Sequence, residues 1–328
     1  MIQSLIFIVI GVAMVLWGAD RLTEGASALA RRLRVPEIVI GLTIVAAGTS
    51  APELFVSLVS ALKGTPDMAV GNVVGSNIFN TMLIVGCAAM VTPIVISKST
   101  VKKDMPFAVL ATALLLIACL DSWPSFHPGG NLVNSISGNV ISRVDGIMLL
   151  VGFVVFMVYT FRVAMAKNDA SQVADTEAVN VWKSLLLLVV GLGCLIFGSN
   201  LFVDSATSVA RELNISEGVI GLTIVAGGTS LPELATSVVA ARKGQSAIAI
   251  GNVIGSNVFN VLLILGLTAT ITPMQLEGIT LVDLSVMMVS ILMVWAFSYT
   301  KYTVARWEGA VLVLMFLGYM AWLWQSIA

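Results

Sequence analysis

Long apolar runs separated by short polar clusters dominate the pattern along this chain. Runs of about 20 apolar residues recur, the length an α-helix needs to cross the hydrocarbon core of a bilayer. The pattern predicts ten spans, at roughly 3–20, 37–61, 67–92, 104–120, 145–163, 183–202, 217–241, 246–271, 281–299 and 307–325. Most connections are short. Two are longer and polar: Asp121–Val144, with Pro124, Pro128, Gly129 and Gly130, and Lys167–Lys183, with Asp169, Asp175 and Glu177.

Composition agrees with a membrane-embedded chain. Of 328 residues, 58% are apolar and 11% charged, against roughly 25% charged in a soluble domain. The fold class expected is an all-α integral membrane protein. Lys and Arg set its orientation. With the N-terminus outside, fourteen of the seventeen basic residues fall inside, from Arg21, Arg31, Arg32 and Arg34 to Lys301 and Arg306. Lys63, Arg143 and Arg211 fall outside. Both termini are therefore expected on the outer side. No basic stretch is interleaved with aromatics, so nucleic acid is not an expected partner; the lipid bilayer is. Cys87, Cys119 and Cys194 sit in apolar runs and read as small hydrophobes, and His127 reads as a loop residue. The first span lacks the preceding basic residues of a signal peptide.

Shifted by 180 residues, the chain matches itself. GLTIVAAGTSAPEL (Gly41–Leu54) and GLTIVAGGTSLPEL (Gly221–Leu234) agree at twelve of fourteen positions. GNVVGSNIFN (Gly71–Asn80) and GNVIGSNVFN (Gly251–Asn260) agree at eight of ten. The register extends upstream, where Gly11, Gly18, Ala30, Arg31 and Leu33 match Gly191, Gly198, Ala210, Arg211 and Leu213. Five spans per half place the halves in opposite orientations, the inverted-repeat plan of secondary transporters. The expected units are 1–163, a cytoplasmic linker 164–182, and 183–328. Packing alone does not require that the most similar stretches be the polar ones.

Those stretches carry the chemistry. Pro52 lacks an N–H, so the Gly48 carbonyl loses its helical partner and the second span is interrupted. Thr49 and Ser50 stand four and three residues before Glu53, positions that flank it on a helix face. Thr229, Ser230 and Glu233 repeat the arrangement. A charge at mid-membrane costs at least roughly 2.5–3.5 kcal/mol. No Lys or Arg lies in the hydrocarbon part of the second, third, seventh or eighth span. A mobile cation is then the natural counter-charge. Asn72, Ser76 and Asn80 make a polar stripe at four-residue spacing, matched by Asn252, Ser256 and Asn260. Ser76, Asn80, Ser256 and Asn260 are read as ligands. Gly71, Gly75, Gly251 and Gly255 are read as helix-packing positions. For Asn72, Asn77, Asn252 and Asn257 the spacing does not decide. Carboxylate, hydroxyl, amide and main-chain oxygens, without Cys or His, suit hard cations such as Ca²⁺ and Na⁺. With both glutamates ionised the site carries a charge of about minus two. Asp20, Glu24 and Asp204 read as interfacial, and Asn214 with Glu217 as a helix cap.

The paired motifs GLTIVAAGTSAPE/GNVVGSNIFN and GLTIVAGGTSLPE/GNVIGSNVFN resemble the two alpha-repeats of the cation/Ca²⁺ exchanger superfamily, in its prokaryotic sodium/calcium exchanger branch. The resemblance covers nearly the whole chain. It implies ten helices in two inverted five-helix repeats. It further implies a ligand set with Glu53 and Glu233 at its centre. Thr49, Ser50, Thr229 and Ser230 would add hydroxyls or carbonyls, and Ala46 and Ala226 main-chain carbonyls. Ser76 and Ser256 would ligate sodium, and Asn80 and Asn260 would complete the middle. The residues alone point to the Gly48 carbonyl; the family points instead to Ala46 and Thr49. Some family members carry Asp where this chain has Asn260; an Asp there goes with potassium-dependent exchange and also occurs in an archaeal sodium/calcium exchanger. The proton/calcium branch carries a glutamate in the third helix, where this chain has GNVVGSN. The function expected is Na⁺/Ca²⁺ antiport by alternating access in a cell inner membrane, with Ca²⁺ and Na⁺ as transported ions and no resident cofactor. H⁺/Ca²⁺ or K⁺-dependent exchange is the runner-up, and a cation channel a rival of another class. An intramembrane enzyme is not expected, since no membrane-embedded His or Lys stands ready to activate a serine.

Overall fold

The computed structural model describes residues 2–65, 67–120, 139–168, 181–213, 226–276 and 279–327. Helices α1 (Ile2–Leu33), α2 (Glu37–Thr49) and α3 (Ala51–Leu62) open the chain. They are followed by α4 (Met68–Val91), α5 (Thr100–Leu120), α6 (Arg143–Asn168) and α7 (Val181–Glu212). The second half continues with α8 (Ala226–Thr229), α9 (Leu231–Arg242), α10 (Ser246–Ile271), α11 (Leu281–Tyr299) and α12 (Arg306–Ile327). Among the described residues eight helices are long and apolar enough to cross a membrane, and the bent pair α2–α3 brings the number to nine. The expected span at 217–241 is described from Ala226 onward. The Asn214–Glu217 cap, His127 and most of both long connections lie outside the described residues.

Two expected boundaries are corrected. The first span runs to Leu33 instead of residue 20, and the sixth to Glu212 instead of 202. Hydropathy falls at Asp20 and Asp204, but the helix continues because its polar end is packed: Thr23, Ser27, Ser205 and Thr207 are buried. The all-α expectation holds apart from two short antiparallel ladders. In one, β1 (Ile94–Val95) pairs with β4 (Thr303–Val304). In the other, β2 (Val140–Ile141) pairs with β3 (Met274–Gln275). Each ladder ties a connection of one half to a connection of the other.

In lipid there is no hydrophobic force between helices, so close packing of small residues holds them together. The long helices α1 and α7 show this most plainly. A Cβ on Gly18 would stand 2.7 Å from the Gly191 carbonyl oxygen, and one on Gly11 2.8 Å from that of Gly198. A Cβ on Gly25 would stand 2.8 Å from the Ser184 carbonyl oxygen. Glycine at seven-residue spacing thus forms a contact rail along which the two backbones touch. Behind this pair stand α4 and α10, the most enclosed spans. In α10, 94% of the apolar stretch is buried and in α4 72%, against 22% in α1. Gly251 and Gly255 serve the packing role expected of them. Cβ atoms there would approach Gly41 Cα at 3.1 Å and the Leu42 carbonyl at 2.7 Å. For Gly71 and Gly75 the matching stretch 221–225 lies outside the described residues.

Candidate functional site

Each carboxylate sits just past a break in its span. Ser50 leaves helical geometry at φ −81°, ψ 7°, and α2 meets α3 at 46°. Ser230 does the same at φ −92°, ψ 6°. Pro52 and Pro232, in the first turn after each break, restart the helix without needing an N–H partner. Glu53 and Glu233 therefore lie in the first turn of a new helix, where partial positive charge favours a carboxylate. Both are shut from solvent, at 0% and 1% exposure.

The expected loss of a partner at the broken turn is visible in the second copy. The Gly228 carbonyl, which Pro232 cannot serve, accepts from Ser199 Oγ of α7 at 2.6 Å. In the first copy the Ala46 carbonyl accepts the Ser50 N–H at 3.0 Å and Thr49 Oγ1 at 3.4 Å. Ala226 opens α8, and Thr229 closes it half-buried.

One expectation from helical spacing is corrected. Ser50 does not flank its own neighbour Glu53; the bend turns its hydroxyl across the centre, where it donates to Glu233 Oε1 at 3.0 Å. Ser230 in turn donates to Glu53 Oε1 at 3.2 Å. Thr49 also crosses, donating to Asn252 Oδ1 at 3.0 Å. Ser76 joins the centre, 3.0 Å from Ser230 Oγ and 3.4 Å from Glu53 Oε1. The broken turns thus interlock between halves.

The asparagines divide into two roles that spacing left open. Asn72 Nδ2 donates to the Glu53 carbonyl at 3.3 Å and to Ser57 Oγ at 3.0 Å. Asn252 does the same for the Glu233 carbonyl and Ser237, at 3.3 and 3.0 Å. These two brace the restarted helices. Asn77 and Asn257 act on the other pair. Asn260 Nδ2 donates to Asn77 Oδ1 and Asn80 Nδ2 to Asn257 Oδ1, both at 3.1 Å. With its NH₂ held, each of Asn80 and Asn260 must turn its amide oxygen the other way. Both lie in π-helical turns, Phe79–Ile84 and Phe259–Leu265, whose extra residue per turn re-aims the side chain. Ser57, Ser237, Ser199 and the π turns were missed in the sequence. The identity of Ser57 and Ser237 at the 180-residue shift was the available signal for the first two.

What remains is a set of oxygens. Glu53 Oε2, Glu233 Oε2, Asn80 Oδ1, Asn260 Oδ1 and Ser256 Oγ are buried with no hydrogen-bond donor among the described residues. A buried acceptor left unserved costs about 1–3 kcal/mol, more when charged. Five such atoms on four elements are tolerated together where a cation completes them. Among the described residues no three His, Cys, Asp or Glu gather at one place, so what the centre offers is two carboxylates and neutral oxygens, a set that suits hard cations. The Asn80 orientation gives a direct check. Asn257→Ala leaves both carboxylates in place but frees the Asn80 amide. Calorimetric titration of the purified protein is expected to show Ca²⁺ binding weakened about 10- to 100-fold, the usual effect of removing a ligand's orienting partner.

Comparison with known proteins gives a consistent picture. A family model described as sodium/calcium exchanger protein matches residues 3–162 and 183–325. The putative antiporter CaxA of Alkalimonas amylolytica is 36% identical over 336 residues, covering 99% of this chain and 100% of that protein. The sodium/calcium exchanger MaX1 of Methanosarcina acetivorans is 33% identical over 340 residues, with 97% of each chain covered. A solved structure of the sodium-calcium exchanger NCX_Mj superposes with a TM-score of 0.80 at 29% identity, over 98% of each chain.

Proposed function

The chain belongs to the sodium/calcium exchanger protein family, a family of membrane transporters and not of enzymes, and from that premise we propose that it exchanges Na⁺ for Ca²⁺ by alternating access. The single observation that carries this reading is the buried group of two carboxylates with donor-less oxygens at interlocked helix breaks. Two carboxylates neutralise one Ca²⁺, and the same oxygens can hold several Na⁺ in its place. Competition for one oxygen set is what couples the two ions.

In this reading Glu53 and Glu233 bridge the ions. Ser50, Ser230, Thr49, Thr229, Ser76 and Ser256 supply hydroxyl or carbonyl oxygens, Ala46 and Ala226 carbonyls, and Asn80 and Asn260 amide oxygens. The fold is read as ten spans in two inverted five-helix repeats, 1–163 and 183–328, joined by a cytoplasmic linker at 164–182. Elements that recur 180 residues apart support it: the breaks at Ser50 and Ser230, the two π turns, and strands β1 and β3. The basic residues support a placement in a cell inner membrane with both termini outside. The names and likeness of MaX1 and NCX_Mj support sodium and calcium as the exchanged pair.

Reconstitution tests the coupling. Vesicles loaded with Na⁺ and diluted into Na⁺-free medium are expected to take up Ca²⁺, and dissipating the Na⁺ gradient should stop uptake. Uptake that follows a pH gradient and ignores Na⁺ replaces this reading with proton-coupled exchange. Uptake that requires K⁺ beside Na⁺ replaces it with K⁺-dependent exchange.

A further inference from the structure

The polar end of α1 is tied to two different core elements. Lys243, the residue after α9, sets its ammonium 2.6 Å from Asp20 Oδ1, 2.8 Å from the Asp20 carbonyl and 3.1 Å from Thr23 Oγ1. Further along, Ser27 Oγ donates to Glu37 Oε1 at 2.5 Å, at the start of α2. Asp20, Thr23 and Ser27 follow helical spacing and so form one stripe. Arg21 flanks it, 2.8 Å from both Asp20 Oδ2 and Glu24 Oε2. Asp20, expected at the interface, is the hub of this contact through its carboxylate.

The 180-residue repeat provides an internal control. The counterparts of Asp20, Thr23 and Lys243 are Asn200, Val203 and Lys63. The lysine is kept, but the acid and the hydroxyl that would receive it are gone. Lys63 is exposed and makes no ion pair among the described residues. The packing differs in the same sense: α1 lies along α9, whereas α7 makes at most slight contact with α3.

We propose that Asp20, Thr23 and Lys243 form a one-sided latch that holds the end of α1 against α9 and biases the protein toward the conformation closed at that end. The proposal deepens the alternating-access reading and rests on it. When α1 moves away, one ammonium gives up a carboxylate, a carbonyl and a hydroxyl together. Asp20 and Lys243 are each about a third exposed, so the latch weights a balance without locking it. Among the described residues the positions equivalent to the latch, Asn200, Val203 and Lys63, form no such contact, and the two conformations are therefore unequally populated. Because apparent affinity scales with the fraction of protein in the binding-competent state, the two membrane faces should bind Ca²⁺ with different apparent affinity.

The test uses the full chain with Cys87, Cys119 and Cys194 replaced and a single reporter, Ala241→Cys, at a fully buried position of α9. Labelling by a water-soluble thiol reagent reads opening at this end without any need for transport. Asp20→Asn and Lys243→Gln are each expected to speed labelling about two- to fivefold, the range open to a partly exposed ion pair. They should also improve apparent Ca²⁺ affinity at this face by a similar factor and weaken it at the other by less, because the two fractions sum to one. The double variant Asn200→Asp, Val203→Thr, which offers Lys63 a receiver, should move both affinities in the opposite sense. Labelling unchanged in Asp20→Asn and Lys243→Gln, with Na⁺-driven Ca²⁺ uptake intact, overturns the latch and leaves the exchange reading standing. Faster labelling in a protein whose uptake ignores Na⁺ overturns the coupled ion and leaves the latch.

Discussion

Glu53→Gln and Glu233→Gln are each expected to abolish measurable Ca²⁺ transport while leaving a folded protein. Glutamine keeps the shape of the side chain and an oxygen that can accept from Ser230 or Ser50, so the hydrogen bonds at 3.2 and 3.0 Å survive. What it removes is half of the negative charge at a site with no exposure to water. Removing one partner of a buried charged interaction costs about 2–5 kcal/mol, roughly 30- to several-thousand-fold in affinity. In the cation-free protein the sign reverses. A buried carboxylate without a counter-charge is a liability, so each variant is expected to melt no lower than the parent when no cation is present. Isotope flux and a thermal melt with and without Ca²⁺ check both halves of the expectation. A Glu53→Gln protein that is still stabilised by Ca²⁺ and still transports it would falsify the site.

The second large effect lies away from the ions. Gly191→Ala is expected to separate α1 from α7 and to lose both stability and transport. Its Cβ would stand 2.6 Å from the Leu22 nitrogen and 2.8 Å from the Gly18 carbonyl oxygen. Both are backbone atoms, which cannot swing aside as a side chain can. Forcing extra volume into a close-packed contact costs about 1–3 kcal/mol. Gly193→Ala is the control: it is on the same helix, yet a Cβ there meets nothing within 4 Å among the described residues. It should melt and transport like the parent. Equal melting temperatures for the two variants would show that the glycine rail does not hold the pair.

The division between what could be read beforehand and what could not follows the reach of each signal. The glutamates were legible because a carboxylate in an apolar span is costly and the chain places one twice at the same spacing. The helix breaks were legible because Pro52 and Pro232 act on their own local backbone. The crossing of Ser50 to Glu233 was not, since it depends on a 46° bend and on the meeting of two stretches 183 residues apart. The π turns hid for another reason: their widened turns leave the apolar pattern of Phe79–Ile84 and Phe259–Leu265 intact. Asn77 and Asn80 are the same residue type three positions apart, and only the partners of their amides separate the orienting residue from the oriented one. The lengths of α1 and α7 were misjudged because hydropathy reports the solvent a side chain prefers, and Thr23 and Ser27 meet protein instead.

The exchange of serines between halves also bears on how such a chain changes over generations. A doubled gene usually gains freedom, because one copy can drift while the other keeps the old task. Here Ser50 serves the glutamate of the other half, and Ser230 returns the service. Neither copy is spare in that sense. A change at position 50 is felt at position 233, and one at 230 is felt at 53. The near-identity of the two stretches is then the mark of mutual dependence as much as of common origin, and their divergence is confined to positions such as 47 and 227 that take no part in the exchange.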